Sequence, residues 1–165
     1  MNRIVKDYLY LLGIGGAVIA LDQWTKWLVR VNLPFQGTWL PEWLSWLSPY
    51  ARIVHWYNSG AAFGMFQNYT KILTIISIVA IVLIIILKVI LKLTFAFYNV
   101  SLGFILGGAV GNLIDRYFVG EVTDFINLTF LPVFNIADSS IVIGFCLIII
   151  LIIREYFKKE KPKRI

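Results

Sequence analysis

Four long apolar stretches limit what this chain can fold into. They cover residues 8–28, 72–92, 94–115 and 137–156. Each is close to the length of about 20 residues that an α-helix needs to cross a bilayer. Because backbone N–H and C=O groups in lipid must be paired within the segment, these stretches favour helices. We therefore expect an all-α membrane protein with four transmembrane helices, forming a single integral membrane domain over residues 1–165.

The composition supports a membrane protein and argues against nucleic-acid binding. Hydrophobic residues make up 59% of the chain and aromatic residues 16%. The net charge is +6, but the basic residues lie at the predicted helix ends and in the C-terminal tail. A single cysteine, Cys146, excludes an intrachain disulfide, and the single histidine, His55, has no second histidine with which to share a metal. We expect Cys146 to be buried or lipid-facing and His55 to face water.

The first apolar stretch resembles a signal peptide, because a short basic segment, Met1–Lys6, precedes it. We do not expect cleavage, since the apolar face continues to Leu28 and makes the stretch long enough to span. Asp22 and Lys26 lie near its far end at i,i+4 spacing, on one face of a helix. This spacing is consistent with a structural ion pair near the interface and equally with a part in function.

Residues 31–69 form a long connection, rich in tryptophan and proline, between the first and second spans. We expect it to be an extracytoplasmic segment that combines β-structure with an amphipathic helix. Arg52–Asn58 is rich in β-branched and aromatic residues, which predicts a strand, and the small residues of Asn58–Gly64 predict a tight turn. The amphipathic helix, lying on the membrane surface with Pro41 in its first turn, would carry an apolar stripe of Trp39, Leu40, Trp43, Leu44 and Leu47.

Small residues mark the third span. Gly103, Gly107 and Gly111 recur at four-residue spacing, which favours close approach of another helix in lipid. The link between the second and third spans is so short that these two helices must be antiparallel neighbours.

Four spans place both termini on the same side of the membrane. The excess of basic residues on that side marks it as cytoplasmic. The residues that produce this excess are Arg3, Lys6, Lys88, Lys92 and the tail from Arg154 onward. The polar residues between the third and fourth spans then gather at the outer face, with Asp22 and the aromatic connection.

The stretch from Gly111 to Asp138 concentrates polar residues between two uncharged runs. Polar and charged residues at the edge of transmembrane helices have a free-energy cost, so a cluster of them indicates a function. For Asp115 we favour a local salt bridge with the adjacent Arg116. Asn135 precedes Asp138 by three residues, which predicts an N-cap with Asp138 in the first turn of the fourth helix. The charged residues of the stretch are Asp115, Arg116, Glu121, Asp124 and Asp138.

Capping does not explain Asp124, which lies in what we predict to be a loop full of Val, Phe, Ile and Leu. When two carboxyl groups lie close together at a lipid boundary, ionising both has a high free-energy cost, so one keeps its proton. Asp124 and Asp138 would then act as an acid and a base, activating a water and protonating a leaving amine without metal or covalent intermediate. Fixed hydrogen bonds around them would come from Asn58, Asn112, Arg116 and Asn135.

Three other functions compete with this hypothesis. A small membrane transporter or proton relay also uses intramembrane carboxylates, but here the acids cluster at one face and the second span has none. A metal-dependent lipid-headgroup transferase would cluster acids at an interface as well, yet it needs a denser i,i+3/i+4 carboxylate pattern than this chain has. A membrane scaffold with structural ion pairs is the third alternative.

Four sequence blocks resemble, in order, those of the lipoprotein signal peptidase (signal peptidase II) family. Each block alone is weak, but four in order together with four spans are highly specific, and the resemblance covers nearly the whole chain. The blocks are Asp22–Lys26, Asn58–Gly64, Gly111–Arg116 with Gly120–Phe125, and Phe134–Ser139.

This resemblance implies an intramembrane aspartic endopeptidase of the bacterial cytoplasmic (inner) membrane, with both termini cytoplasmic and the active site near the outer face. It implies substrates that are diacylglyceryl-modified prolipoproteins, cut just before the lipidated cysteine, and it implies no cofactor and no metal. We expect membrane lipid as a partner, no nucleic acid, and a monomer.

By position in the blocks, Asp124 and Asp138 correspond to the catalytic pair of that family. The sequence does not assign base and acid, because the pair titrates as a unit. The segment between the two is a few residues shorter than the family pattern, which affects the shape of that loop but neither aspartate. The remaining implied site residues are Asn58, Asn112, Arg116, Asn135 and Ala137, with Asp22 and Lys26 in support.

Overall fold

The computed structural model describes residues 2–60, 69–91 and 96–160. Residues 61–64 of the predicted turn Asn58–Gly64 lie outside the described residues, and so does the link between the second and third helices. The elements, in chain order, are α1 (Arg3–Asn32), β1 (Thr38–Trp39), a 3₁₀ helix (Glu42–Leu47), β2 (Ala51–Asn58), α2 (Thr70–Ile90), α3 (Ala96–Phe118), β3 (Val122–Leu128) and α4 (Ile136–Glu160).

Each of the four predicted spans contains a long helix, as far as the structure describes it. Among the described residues, three stretches are helical, long and apolar enough to cross a membrane: Thr70–Ile90, Ala96–Phe118 and Ile136–Lys158. The most apolar 18-residue window of α2 has a mean hydropathy of 3.1, against 1.4 for α3, which carries the polar site residues. Helix α1 is not among these three stretches, so that it also spans the membrane stays a prediction.

Helix α3 lies at the centre of the bundle, packed against α1 on one side and α4 on the other. Its glycines allow this approach, as the four-residue spacing predicted. A Cβ at Gly107 would lie 2.8 Å from the carbonyl oxygen of Gly15, and one at Gly103 would lie 2.9 Å from the Cβ of Ile14. Side chains at these two positions would therefore push α1 away from α3.

Helices α2 and α3 are antiparallel neighbours, as predicted. The start of α2 and the end of α3 together line a small apolar groove of about 320 Å³. The residues of this groove are Thr74, Ile78, Leu113, Ile114, Tyr117 and Phe118.

A three-stranded antiparallel sheet, in the order β1–β2–β3, lies at the end of the bundle where α1 and α3 end and α4 begins. The predicted strand in the connection is confirmed as β2. Asp124 opposes Trp56 across the β2–β3 pair, next to an irregularity in register between Ile53 and Trp56.

The prediction that Asp124 lies in a loop is wrong, because Asp124 is the third residue of β3. Residues 122–125 are all buried, so this part of the strand is covered on both faces. A strand buried on both faces shows no alternation of apolar and polar residues, which is the signal by which short strands are recognised.

The predicted amphipathic α-helix is also wrong. Trp39 lies in β1, and the helix is a 3₁₀ helix that begins only after Pro41. A proline disfavours helical geometry at the residue before it, so Leu40 cannot extend the helix backwards. With three residues per turn, Trp43 and Trp46 align on one side, where they are 77% and 69% exposed.

His55 does not face water as we expected. It is buried in β2, and its Nδ1 lies 2.8 Å from the carbonyl oxygen of Leu33, just beyond α1. Its ring packs edge-on against Phe35 and Tyr57. Cys146 is exposed on the apolar helix α4, as expected for a lipid-facing side chain.

Candidate active site

A cavity of about 910 Å³ opens where the sheet meets the ends of α3 and α4. Asp124 reaches it from β3 and Asp138 from the first turn of α4, so the two predicted catalytic residues line the same space. Asn112 and Arg116 contribute from α3 and Asn58 from β2. Its apolar walls come from Trp56, Tyr57, Val122, Leu131, Pro132, Val133, Phe134, Ile141, Val142 and Ile143.

The start of α4 fixes Asp138. Asn135 caps the helix, because its Oδ1 accepts a hydrogen bond of 2.9 Å from the N–H of Asp138. In return, Asp138 Oδ2 accepts a bond of 3.2 Å from the N–H of Asn135. This reciprocal arrangement is a capping box with aspartate in the usual place of glutamate. The predicted cap is therefore confirmed, and it orients the carboxylate at the same time.

Asp124 is 2% exposed and held by two side-chain amides. Asn58 Nδ2 donates to its Oδ2 over 2.9 Å, and Asn135 Nδ2 donates to its Oδ1 over 2.7 Å. Burial, reinforced by the negative charge of Asp138, raises the pKa of Asp124 from 3.8 to about 7. Near neutral pH this carboxyl group can therefore both hold and release a proton.

Asp138 is likewise held by uncharged donors. Asn112 Nδ2 donates to its Oδ1 over 2.8 Å, and the backbone of Asn135 holds the other oxygen. Asn135 thus contacts both carboxylates, and its Nδ2 also lies 3.0 Å from Asn112 Oδ1. We call Asp124 and Asp138, linked through Asn135, the aspartate pair.

Asp22 and Lys26 form the predicted i,i+4 ion pair on α1. The distance between Lys26 Nζ and Asp22 Oδ2 is 2.8 Å, and neither side chain is exposed. Lys26 Nζ also donates to Asn112 Oδ1 over 2.9 Å, and Asp22 Oδ1 accepts from the N–H of Ala137 over 2.9 Å. The pair therefore lies behind the aspartate pair, holding Asn112 and the start of α4.

The predicted salt bridge between Asp115 and Arg116 is wrong. Asp115 pairs instead with Lys26 and Arg30 of α1, each at 3.4 Å. Successive residues of an α-helix point about 100° apart, so Asp115 faces α1 while Arg116 faces the cavity. Arg116 Nη1 lies 3.5 Å from Ser77 Oγ of α2. We call Asp22, Lys26, Arg30 and Asp115 the ion-pair cluster.

Sequence reasoning missed three residues around Asp115. Gln23 Nε2 donates to Asp115 Oδ1 over 3.1 Å, Arg30 Nη1 donates to Thr123 Oγ1 over 2.9 Å, and the N–H of Thr123 donates to Asp115 Oδ2 over 2.8 Å. A signal was present, because Gln23, Lys26 and Arg30 are spaced three and four residues apart and so share one helix face.

Among residues 2–60, 69–91 and 96–160, no three histidine, cysteine or acidic side chains group in a way that could hold a metal ion.

Comparison with known proteins agrees with the resemblance in sequence. A family model described as signal peptidase (SPase) II matches residues 14–154. The lipoprotein signal peptidase of Enterococcus faecalis is 34% identical over 165 residues, covering 97% of this chain and 96% of that protein. The lipoprotein signal peptidase of Geobacillus thermodenitrificans is 40% identical over 153 residues, covering 90% of this chain and 89% of that protein.

Two solved structures share the fold. One, described as a bacterial membrane enzyme, has a TM-score of 0.82 at 29% identity and covers 93% of both chains. A second with the same description has a TM-score of 0.75 at 30% identity, covering 86% of this chain and 90% of that one. The architecture, the sequence blocks and these similarities agree, and this chain belongs to the signal peptidase II family.

Proposed function

We propose that this chain is an intramembrane aspartic endopeptidase that removes signal peptides from diacylglyceryl-modified bacterial prolipoproteins. It cuts just before the lipidated cysteine, and Asp124 and Asp138 are its catalytic residues. The enzyme is a monomer of the cytoplasmic (inner) membrane, with both termini in the cytoplasm and the cavity near the outer face.

One observation carries this proposal: two carboxylates from separate elements face one apolar-walled cavity, and their hydrogen-bond donors are neutral amides. A lysine or arginine paired with either aspartate would hold it ionised. Neutral donors instead allow the aspartate pair to keep one shared proton, which acid–base catalysis by two carboxylates requires. The pKa of about 7 for Asp124 is consistent with a singly protonated pair near neutral pH.

The reaction follows from that protonation state. The ionised aspartate takes a proton from water, and the water oxygen attacks the scissile carbonyl carbon while the protonated aspartate gives its proton to the carbonyl oxygen. The tetrahedral diol then collapses: one hydroxyl proton returns to an aspartate, the leaving nitrogen takes a proton, and the C–N bond breaks. The products are a carboxylic acid and an amine, and the pair again holds one proton.

The surroundings of the pair have separate roles in this proposal. Asn58, Asn112 and Asn135 keep the two carboxylates in place through the bonds described above. Arg116 lines the cavity that receives the substrate peptide. From behind the pair, Lys26 holds Asn112 and Asp22 holds the N–H of Ala137. The diacylglyceryl chains lie against apolar surfaces between the helices, where each buried methylene contributes about 0.8 kcal/mol.

The test is cleavage by the purified protein of a diacylglyceryl-modified prolipoprotein peptide and of the same peptide without lipid. We expect cleavage before the modified cysteine, and far slower turnover of the unlipidated peptide. Equal turnover of the two peptides would contradict lipid recognition, and no cleavage of either would contradict the proposed function.

The orientation has its own test, in a Cys146→Ser background. In intact cells, an impermeant thiol reagent should label Ser48→Cys, in the extracytoplasmic segment, and should leave Lys161→Cys, in the tail, unlabelled. The reverse pattern would overturn the assignment of the cytoplasmic side.

A further inference from the structure

We infer that Arg30 is a positioning residue for Asp124, acting through the hydroxyl group of Thr123. The inference rests on the proposed function, because it assigns to Arg30 a role in the reaction that Asp124 performs. Arg30 itself lines no part of the cavity.

The contact joins the last turn of α1 to the strand that carries Asp124. Arg30 Nη1 donates to Thr123 Oγ1 over 2.9 Å and lies 3.4 Å from Asp115 Oδ1. Thr123 is fully buried, while the Arg30 side chain is 23% exposed. A basic residue at this helix end is also favoured by the helix dipole, so Arg30 is well placed to be ordered there.

Strand geometry makes this contact relevant to Asp124. Successive side chains of a strand point to opposite faces, so Thr123 points towards α1 and α3 while Asp124 points into the cavity. A contact that fixes Thr123 therefore also fixes the position of Asp124 along β3 and the direction of its side chain relative to Asn58 and Asn135. A displacement of about 1 Å in a catalytic group can reduce turnover about 10²-fold.

The edge position of β3 explains why such an anchor is needed. Only β2 pairs with β3 as a neighbouring strand in the described sheet, so the opposite edge of β3 requires other partners. Asp115 Oδ2 accepts a hydrogen bond from the N–H of Thr123. The carbonyl oxygen of Phe134 accepts hydrogen bonds from the N–H groups of Phe125 and Ile126. At the Thr123 end the strand is thus held by Asp115 and Arg30, together with Asn135 Nδ2, which lies 3.4 Å from the carbonyl oxygen of Thr123.

The contact can be removed without leaving a bare buried charge. In Arg30→Met, Asp115 keeps Lys26, Gln23 and the Thr123 N–H as partners. In Thr123→Val, Arg30 keeps Asp115, and the residue keeps its shape. Both variants should therefore fold, and if one fails to fold the other still tests the inference.

The experiment measures turnover of the lipidated peptide by Arg30→Met, Thr123→Val and the double variant. We expect each single variant to lower kcat about 10-fold with KM within about twofold. The double variant should be no slower than the worse single variant, because both changes remove one contact. Arg30→Lys and Thr123→Ser should recover most of the activity, since Nζ and Oγ can restore the bond. Arg52→Met, an exposed arginine on β2, is the matched control.

Hydrogen exchange of residues 122–125 gives a readout that does not depend on activity. Exchange should be faster in Arg30→Met than in wild type and unchanged in Arg52→Met. Unchanged kcat in both single variants, multiplicative losses in the double variant, or unchanged exchange would each overturn the positioning role. An inactive wild type with faster exchange in Arg30→Met would instead refute the proposed function while leaving the anchor of β3 in place.

Discussion

The two groups of buried carboxylates in this protein differ in the partners that the fold gives them. In the ion-pair cluster, Asp22 and Asp115 contact cations, and all three ion pairs of the described residues involve one of them. In the aspartate pair, the hydrogen-bond donors to the carboxylates are neutral amides. The same side chain therefore contacts cations in one group and is hydrogen-bonded by neutral donors in the other.

Asn112 joins the two groups. Its Oδ1 accepts a hydrogen bond from Lys26 Nζ, and its Nδ2 donates one to Asp138 Oδ1. The Asn112 amide therefore lies between Lys26 and Asp138, so that Lys26 helps to position Asp138 without a direct hydrogen bond to it. The comparison therefore predicts that changes in the aspartate pair alter the chemistry, whereas changes at Asp22 and Lys26 of the ion-pair cluster mainly alter stability.

The largest expected effect is on catalysis. Asp124→Asn and Asp138→Asn should each reduce cleavage of the lipidated peptide by about 10²- to 10⁴-fold, because the amide keeps the size of the side chain but cannot carry the proton. The double variant should be no worse than either single one, since a shared pair fails as a unit. The measurement is initial rate with purified, folded variants. A folded single variant with near-normal turnover would remove the aspartate pair from the mechanism.

The next largest effect is on stability. Lys26→Met removes the cation from Asp22 and weakens the neutralisation of Asp115, which leaves buried charge uncompensated. Breaking a buried pair in this way is typically destabilising by about 3–5 kcal/mol. Thermal unfolding in detergent should show a large fall in Tm, whereas Lys71→Met, at an exposed lysine of α2, should leave Tm unchanged. Equal Tm values for the two variants would show that the ion-pair cluster is not structural.

A third test uses the pH dependence of stability. The folded-state pKa of Asp124, about 7, lies above the unfolded value of 3.8, so the folded protein binds more protons between these values. The stabilisation is full below about pH 4 and is lost as the pH rises through about 7. An asparagine at position 124 does not titrate, so only the wild type loses this stabilisation as the pH rises. The Tm of Asp124→Asn minus that of wild type should therefore increase between pH 5 and pH 8. A Tm difference independent of pH would contradict the raised pKa.

The smallest expected effect belongs to Asp22→Asn. The amide oxygen still accepts from the N–H of Ala137, and Lys26 keeps Asp115 and Asn112 as partners. We expect a loss of about 1–3 kcal/mol in the free energy of unfolding, as for a hydrogen bond to a charged group, and retained turnover. Complete loss of turnover in a folded Asp22→Asn protein would place Asp22 among the reacting groups and end the distinction between the two groups.

Much of the site was predictable because it is encoded locally. The cap of α4 joins residues three apart, and the Asp22–Lys26 pair joins residues four apart, so helix geometry alone brings these side chains together. The glycine spacing of α3 likewise predicted its close packing. The partner of Asp115 was predicted wrongly because the nearest opposite charge in sequence, Arg116, points another way on the helix.

The sequence by itself determined the long helices, the acidic residues at their ends and the resemblance that identifies the family. These features depend on hydrophobic length, helix periodicity and local capping, all of which act over a few residues. Only the tertiary structure decided which carboxylates received cations and which received amides. Arg30 and Thr123 are 93 positions apart, and Asn58 and Asp124 are 66 apart. Contacts over such separations depend on how α1, α3 and the sheet pack, and no local pattern specifies them.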